Sequence, residues 1–434
     1  MTPARARWTS RHWIALAAVA AVGLGIRLWY LPDVGYSDDL GEFARQASFI
    51  AQNGLGRAYD QLLSYGPIVA YLWWLFGLID PAFLHAADSS DLSVRLLLKL
   101  PALVGDLGLI ALVGYALRAR PTWAVVGMAA ILLQPAVWFT SAWWGQYESL
   151  YVCFVLLAFV LVIEDRPLLA AIALTAALFT KPQTLALVLP FAAWYLARYD
   201  RRTVIRAGLT AIVATIVLWL PFLAWGGVAR YLHVLDYYQN VRYDLLSLRA
   251  WNLWWIVQRD VLHIRYQPDQ VAVLGPLTYR TFGFAIAGLL AVVSAYRVYR
   301  QRTPEAFALG LAAAALVSFA FLTTMHDRYS YAAIIFLALV PDRRRVLWFS
   351  ILVGGLVIWN LIASASASTL LNWGWQVDGL PGLVGSLGFC AAALVSVAVQ
   401  WSDRSTAMSA IDASLRSGLE TPAVGAAPAA PVPA

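Results

Sequence analysis

Charge is scarce in this chain: Asp, Glu, Lys and Arg together make up only 13% of its 434 residues, about half the roughly 25% of a soluble domain. Cysteine is scarcer still. Cys153 and Cys390 are the only two, and both lie inside apolar runs. That excludes a disulfide framework and a thiolate metal site, and both read as small core residues. Lysine is almost missing, with Lys99 and Lys181 the only two among 31 basic residues. What fills the chain instead is apolar and aromatic, 61% by count. A water-soluble fold has nowhere to put that excess, so a secreted domain, a cytosolic enzyme and a disordered chain are all excluded.

A transmembrane helix needs roughly 20 apolar residues. The runs predict an all-α polytopic membrane protein with about 12 spans, within a range of 10–13. They fall at 13–31, 92–117, 122–140, 147–163, 167–180, 183–197, 203–222, 276–296, 304–322, 329–340, 346–364 and 382–400. The first run is too long for a signal-peptide core and reads as an uncleaved span. Ile68 to Ile79 is left out: it begins after Pro67 and carries Tyr71, Trp73, Trp74 and Phe76, so it reads as a helix lying along the interface.

Charge supports this layout. With a cytoplasmic N-terminus, the inner segments collect Arg5, Arg7 and Arg11, Arg118 and Arg120, Arg166, Arg198 to Arg206, Arg297 to Arg302 and Arg343 to Arg345. The net charge of +7 is then mostly the positive-inside signal, and no nucleic-acid partner is needed to explain it. The outer face holds two large loops, 32–91 and 223–275. A single membrane domain over 1–401 is expected, followed by a disordered cytoplasmic tail at 402–434, rich in Ala, Pro and Ser.

Ionisable groups inside a bilayer are costly and mark function by default. Lys99 sits about two turns into the second span, with Asp106 seven residues on and on the same face. Lys181 is followed by Pro182 and Gln183, where the helix must break. His326, Asp327 and Arg328 end the ninth span on the outer side. Each also has a plain structural reading: a buried pair for Lys99 and Asp106, interfacial snorkelling for Arg328, a helix-end partner for Asp327.

Residues 37–53 place Leu40, Phe43, Ala47 and Ile50 at helical spacing. Ser37 is a plausible N-cap, putting Asp38 and Asp39 in the first turn, where the helix dipole favours negative charge. Asp38 points to water. Asp39 lies at the edge of the stripe with Glu42 and Gln46 on its flank, where it can face a lipid-linked substrate or merely cap the helix. In 141–149, Gln146 and Glu148 stand between Trp144 and Tyr151. Such a setting suits sugar hydroxyls and an aromatic belt equally, as do Arg249, Trp251 and Asn252 in the second outer loop.

Together these segments resemble a family. An Asp opening an outer helix (Asp39 to Phe43), Gly54 and Tyr59, then Tyr65-Gly66-Pro67, are followed in order by five more matches. These are Lys99 to Asp106, Gln134 to Ser149, Thr180 to Gln183, Ala250 to Trp254 and Met325 to Tyr329. The set is similar to the GT-C membrane glycosyltransferases, in particular the bacterial relatives of GPI-anchor mannosyltransferases. The resemblance implies a GT-C-like fold and transfer of a sugar, mannose by preference, from a polyprenyl-phosphate donor on the outer face of the cell membrane. It implies that Asp39 is the catalytic acid. The chain departs from the pattern at Gly66-Pro67, at Glu148 and at Asp327, where the carboxylates are kept with changed reach.

The chemistry calls for the same groups. Attack on an anomeric carbon needs a base for the acceptor hydroxyl, and a carboxylate can serve. The leaving phosphate needs cations. The expected assignment is Asp39 as base and Lys99, Lys181, Arg328 and His326 around the phosphate. Asp38, Glu42, Gln146, Glu148, Trp251 and Asn252 are expected about the sugar or a lipid, glycan or protein acceptor. A one-step displacement would invert the anomeric centre. Neither a cofactor nor a metal is expected, because no His, Cys and carboxylate cluster has ligand spacing. The rival classes are a multi-span transporter, disfavoured by the short central inner link, and a lipid-linked-sugar flippase, which would need the cations but no base.

Overall fold

The computed structural model describes residues 7–365 and 377–398. The expected cytoplasmic tail at 402–434 lies outside the described residues, as does Arg5. The first helices in chain order are α1 (Ser10–Tyr30), α2 (Ser37–Asn53), α3 (Pro67–Ile79) and α4 (Leu92–Ala116). There follow α5 (Pro121–Leu132), α6 (Pro135–Trp138), α7 (Glu148–Ile163), α8 (Pro167–Leu178), α9 (Leu185–Arg198) and α10 (Arg201–Leu223). The second large loop carries α11 (Gly227–Tyr237) and α12 (Leu253–Ile256). The chain then runs through α13 (Tyr279–Gln301), α14 (Pro304–Phe321), α15 (Tyr331–Leu337), α16 (Arg344–Ala365) and α17 (Gly379–Ala398).

Local chemistry sets these boundaries. Proline at the first helical position opens α3, α5, α6, α8 and α14, where its missing N–H costs nothing. Side-chain caps open others: Asp91 accepts from the Ser93 and Val94 N–H groups at α4, Asp200 from Thr203 at α10 and Thr278 from Thr281 at α13. The α2 helix begins one residue earlier than expected. Tyr36 is its N-cap and Ser37 is already helical, without a side-chain cap bond, while Asp38 and Asp39 do fall in the first turn.

Each predicted span coincides with one helix or, for 122–140, with a bent pair. Among the described residues, seven helices (α1, α4, α10, α13, α14, α16 and α17) are long and apolar enough to cross a bilayer. The bent pair over 121–144, with an angle of 47°, makes up to eight. The helices α7, α8, α9 and α15 are 16, 12, 14 and 7 residues long. At about 1.5 Å per residue none reaches the roughly 30 Å of a hydrocarbon core. The architecture is thus that of an all-helical, multi-pass membrane protein.

Two packing units hold the bundle. The α14 helix is buried along nearly its whole length and packs against α9, α13, α15 and α17. The first outer loop is a second unit. The stripe Leu40, Phe43, Ala47 and Ile50 of α2 is buried as the spacing predicted, and it packs with Val69, Trp73 and Phe76 of α3 and with Val94, Leu98 and Ala102 of α4. Its tip is therefore anchored on a spanning helix rather than free. At the opposite end of the bundle, Arg118 pairs with Glu164 (3.3 Å), Arg120 with Asp342 (3.2 Å) and Arg343 with Glu305 (2.5 Å), tying the short connections together.

Candidate active site

The break between α5 and α7 builds the centre of the site. Pro135 stops the α5 ladder, Gln134 caps the next turn, and residues 139–144 wind as a wide turn that ends at Gly145. Gly145 has φ +82°, and a Cβ there would meet Leu40 Cδ2 at 2.8 Å and Lys99 Cγ at 3.0 Å. Glycine is required on both counts. The turn aims Trp144 and Gln146 at the first turn of α2. Asp39 Oδ2 accepts from Trp144 Nε1 at 2.9 Å and from Gln146 Nε2 at 2.5 Å.

A second carboxylate, Glu148, lies at the start of α7 and is 1% exposed. Its Oε1 accepts from Lys181 Nζ at 2.5 Å and has Arg328 Nε at 3.4 Å. Lys181 stands where Pro182 breaks the chain between α8 and α9, and it also reaches Gln146 Oε1 at 3.3 Å. Arg328 lies 3.8 Å from Asp39 and 3.3 Å from Asp327, with its guanidinium 5.4 Å from the Trp144 ring. Two cations and three carboxylates from four separate segments thus meet at one end of the bundle.

The second outer loop reaches this cluster through backbone pairing. Residues Ser247–Leu248 run parallel to Met325–His326. Buried Asp269 accepts from Thr323 Oγ1 at 2.6 Å and from Arg280, so the turn before His326 is pinned from behind. His326 packs edge-on against Tyr243 at 5.1 Å and against Tyr329 at 5.1 Å. Burial, with Arg328 and Lys181 beside it, holds His326 well below the usual histidine value, so its ring is neutral near pH 7. Burial also pushes Asp327 up to about 6, against the opposing pull of Arg328.

Asp39, Gln146, Lys181, Tyr243, His326, Arg328 and Tyr329 line one cavity of about 600 Å³, with Glu148 and Asp327 behind its wall. Its polar end holds Asp39, Glu42, Gln46, Tyr65, Gln146, Lys181, Gln183, Tyr238, Tyr243, His326, Arg328 and Tyr329. It continues into an apolar arm between α9, α13 and α14, lined by Leu185, Leu189, Phe284, Ala287, Ala291, Ala315 and Phe319. Glu42 is held at the rim by Gln46 (3.1 Å) and by the Tyr238 hydroxyl (3.2 Å). Among the described residues no group of three His, Cys, Asp or Glu could hold a metal ion.

Of the residues expected at the site from the sequence, Asp39, Glu42, Gln146, Glu148, Lys181, His326 and Arg328 come together here. Four do not. Lys99 is fully buried but points the other way, donating to the carbonyls of Tyr30 (3.4 Å), Leu31 (3.2 Å) and Asp33 (2.7 Å) at the C-terminal end of α1. The expected convergence of three cations is therefore one of two. Asp106 is not its partner either: that carboxylate pairs with Arg27 at 2.6 Å and accepts from Ser141. Trp251 is buried away from the cavity, its Nε1 bound to the Val377 carbonyl at 2.9 Å. Asn252 caps α12 through the Trp255 N–H and donates to the Phe319 and Leu322 carbonyls. Asp38 is exposed and outside the cavity lining. Tyr65, Gln183 and Tyr329 lie within the sequence motifs without an expected part in the site, and Tyr243 and the apolar arm are additions that the structure makes.

The site thus sets clustered carboxylates and cations at the mouth of an apolar arm within a multi-pass membrane protein. Residues 63–324 are matched by the family model of glycosyltransferase family 87, and the chain belongs to that family. It is a membrane glycosyltransferase. The match spans Gln146, Glu148, Lys181 and Tyr243, and stops short of Asp39 and Arg328 on either side. A solved structure of ArnT from Cupriavidus metallidurans bound to undecaprenyl phosphate is similar at TM-score 0.48 and 14% identity, over 90% of this chain and 77% of that one. No curated protein matches the chain in sequence.

Proposed function

We propose that the protein transfers a sugar from a polyprenyl-phosphate donor to an acceptor hydroxyl at the extracytoplasmic face of the cell membrane. The observation that carries this reading is the continuity of the cavity. Its polar end suits a phosphosugar, and its arm between α9, α13 and α14 suits an isoprenoid chain. Lys181 and Arg328 are the groups for the phosphate, an ammonium as a point charge and a guanidinium able to grip two oxygens. Both rest on Glu148, so an arriving phosphate competes with that carboxylate. His326, neutral, adds a hydrogen-bond donor rather than a charge.

In the transfer step the acceptor oxygen attacks the anomeric carbon while the bond from that carbon to the phosphate oxygen breaks. The acceptor proton passes to Asp39, and polyprenyl phosphate leaves with the bonding pair, its charge met by Lys181 and Arg328. One displacement inverts the anomeric centre. Glu42 and Tyr238 at the rim suit hydroxyls of the sugar or of a lipid, glycan or protein acceptor. The outward placement is supported by arginine gathered at the far end of the bundle. Mannose is the first sugar to test, on the motif resemblance alone.

The test is turnover by the purified protein in proteoliposomes with defined polyprenyl-phosphate hexoses and a panel of hydroxylated acceptors. Release of polyprenyl phosphate matched by glycosylated product supports the reading. Movement of the intact lipid-linked sugar across the bilayer with no product would replace it with the flippase.

A further inference from the structure

Every hydrogen bond that the described residues make to the Asp39 carboxylate falls on one oxygen. Oδ2 accepts from Trp144 Nε1 (2.9 Å) and Gln146 Nε2 (2.5 Å) and has Arg328 at 3.8 Å, while Oδ1 takes no hydrogen bond among the described residues. The Gln146 amide has no freedom to turn over. Its Oε1 accepts from Lys181 Nζ at 3.3 Å and from the Tyr65 hydroxyl at 3.1 Å, and an ammonium can only donate. Gln146 is itself 1% exposed. Lys181 thus fixes the amide oxygen, which fixes the amide N–H on Asp39.

We infer that Gln146 is a positioning residue rather than a sugar contact: locked by Lys181 and Tyr65, it holds Asp39 Oδ2 and leaves Oδ1 as the oxygen that takes the acceptor proton. The inference rests on the reading of Asp39 as base and deepens it. It also links the two halves of the reaction, because the lysine assigned to the phosphate orients the amide that orients the base. An N–H aimed at Oδ2 polarises one C–O bond of the carboxylate more than the other, so its removal makes the two oxygens more alike. The other charged or titratable groups around Asp39 include Tyr36 at the N-cap of α2, Asp38 and Glu42 on its own helix, Glu148 on α7, Lys181 before α9, and Tyr65, Tyr243, His326, Asp327 and Arg328 on the loops. Trp144 keeps its own bond in the variants below.

The experiment needs no substrate. Infrared difference spectra of the full-length protein in nanodiscs, taken at one pH, isolate the Asp39 carboxylate stretching bands as the difference between wild type and Asp39→Asn. In Gln146→Met, which keeps length and loses the donor, the separation between the asymmetric and symmetric Asp39 bands should narrow, because the two oxygens become more alike. Gln146→Asn, whose amide is too short to reach both sides, should fall between wild type and Gln146→Met. Unmoved Asp39 bands in Gln146→Met, with the helix signal intact, overturn the inference. If Gln146→Met does not fold, the Gln146→Asn bands decide in its place. The base reading fails separately, if Asp39→Asn keeps full transfer while the bands shift as stated.

Discussion

Replacing Lys181 with Met separates what the lysine does for the fold from what it does for the donor. The substitution keeps the stem and deletes the charge. Glu148, 1% exposed, then loses its partner at 2.5 Å and retains Arg328 Nε at 3.4 Å, while its Oε2 takes no hydrogen bond among the described residues. Removing one side of a buried pair costs roughly 3–5 kcal/mol. The remaining arginine puts Lys181→Met at the lower end, about 3 kcal/mol. Adding Glu148→Gln removes the stranded carboxylate, and the double variant should recover most of that loss, a coupling of about 2 kcal/mol. The 20 tryptophans make intrinsic fluorescence a direct reporter of thermal unfolding in a fixed lipid. Stability should fall in the single variant and return in the double, while donor use stays impaired in both. If the single variant is as stable as wild type, or the double less stable than the single, the pair is not what holds this end of the cavity.

Other outcomes follow from the same geometry. Lys99→Met should cost about 1–3 kcal/mol by stranding carbonyls past α1 and leave the donor Michaelis constant unchanged; a donor-specific defect would return Lys99 to the site. Asp327 has a folded pKa of about 6, above its unfolded value, so the folded state binds the extra proton between roughly pH 4 and 6. Its contribution is full below that window and is lost as pH rises through it. Asp327→Asn should therefore flatten that part of the stability profile, and an unaltered slope would show the dependence belongs to another group. Single cysteines at Ser64 and Gln267, in a background lacking Cys153 and Cys390, should react with an impermeant thiol reagent in intact cells; protection at both until lysis would reverse the topology.

Much of the frame could be read from the chain because it rests on local rules. The α2 stripe and the position of Asp39 at its edge follow from helical periodicity, and the break at Lys181 from Pro182. The order of the spanning helices follows from the apolar runs. What could not be read was which distant group each buried charge would meet. Lys99 and Asp106 look like partners at seven residues' spacing, but Arg27, concealed in the first span, reaches Asp106. Lys99 instead satisfies the end of that same helix. Trp251 and Asn252 have the composition of a sugar platform, yet serve as a packed ring and a helix cap because α12 starts at Leu253. The apolar arm was hidden for the opposite reason: Phe284, Ala287 and Ala291 repeat at helical spacing in an apolar run, as any lipid-facing stripe would. Tyr243 is a single ring in a long loop, and only its pairing with the His326 turn brings it in.

The central claim, that Asp39 takes the acceptor proton, is tested most directly by sugar transfer at saturating donor by Asp39→Asn beside Asp38→Asn. The amide keeps nearly the same shape and bonding frame but cannot accept the proton, and general-base assistance is worth about 10²–10⁴-fold. Transfer by Asp39→Asn should fall by at least about 10²-fold with donor binding retained. Asp38 is exposed and outside the cavity lining, so Asp38→Asn should keep near-normal transfer. Undiminished transfer by Asp39→Asn would contradict the account and pass the role to Glu42 or Glu148.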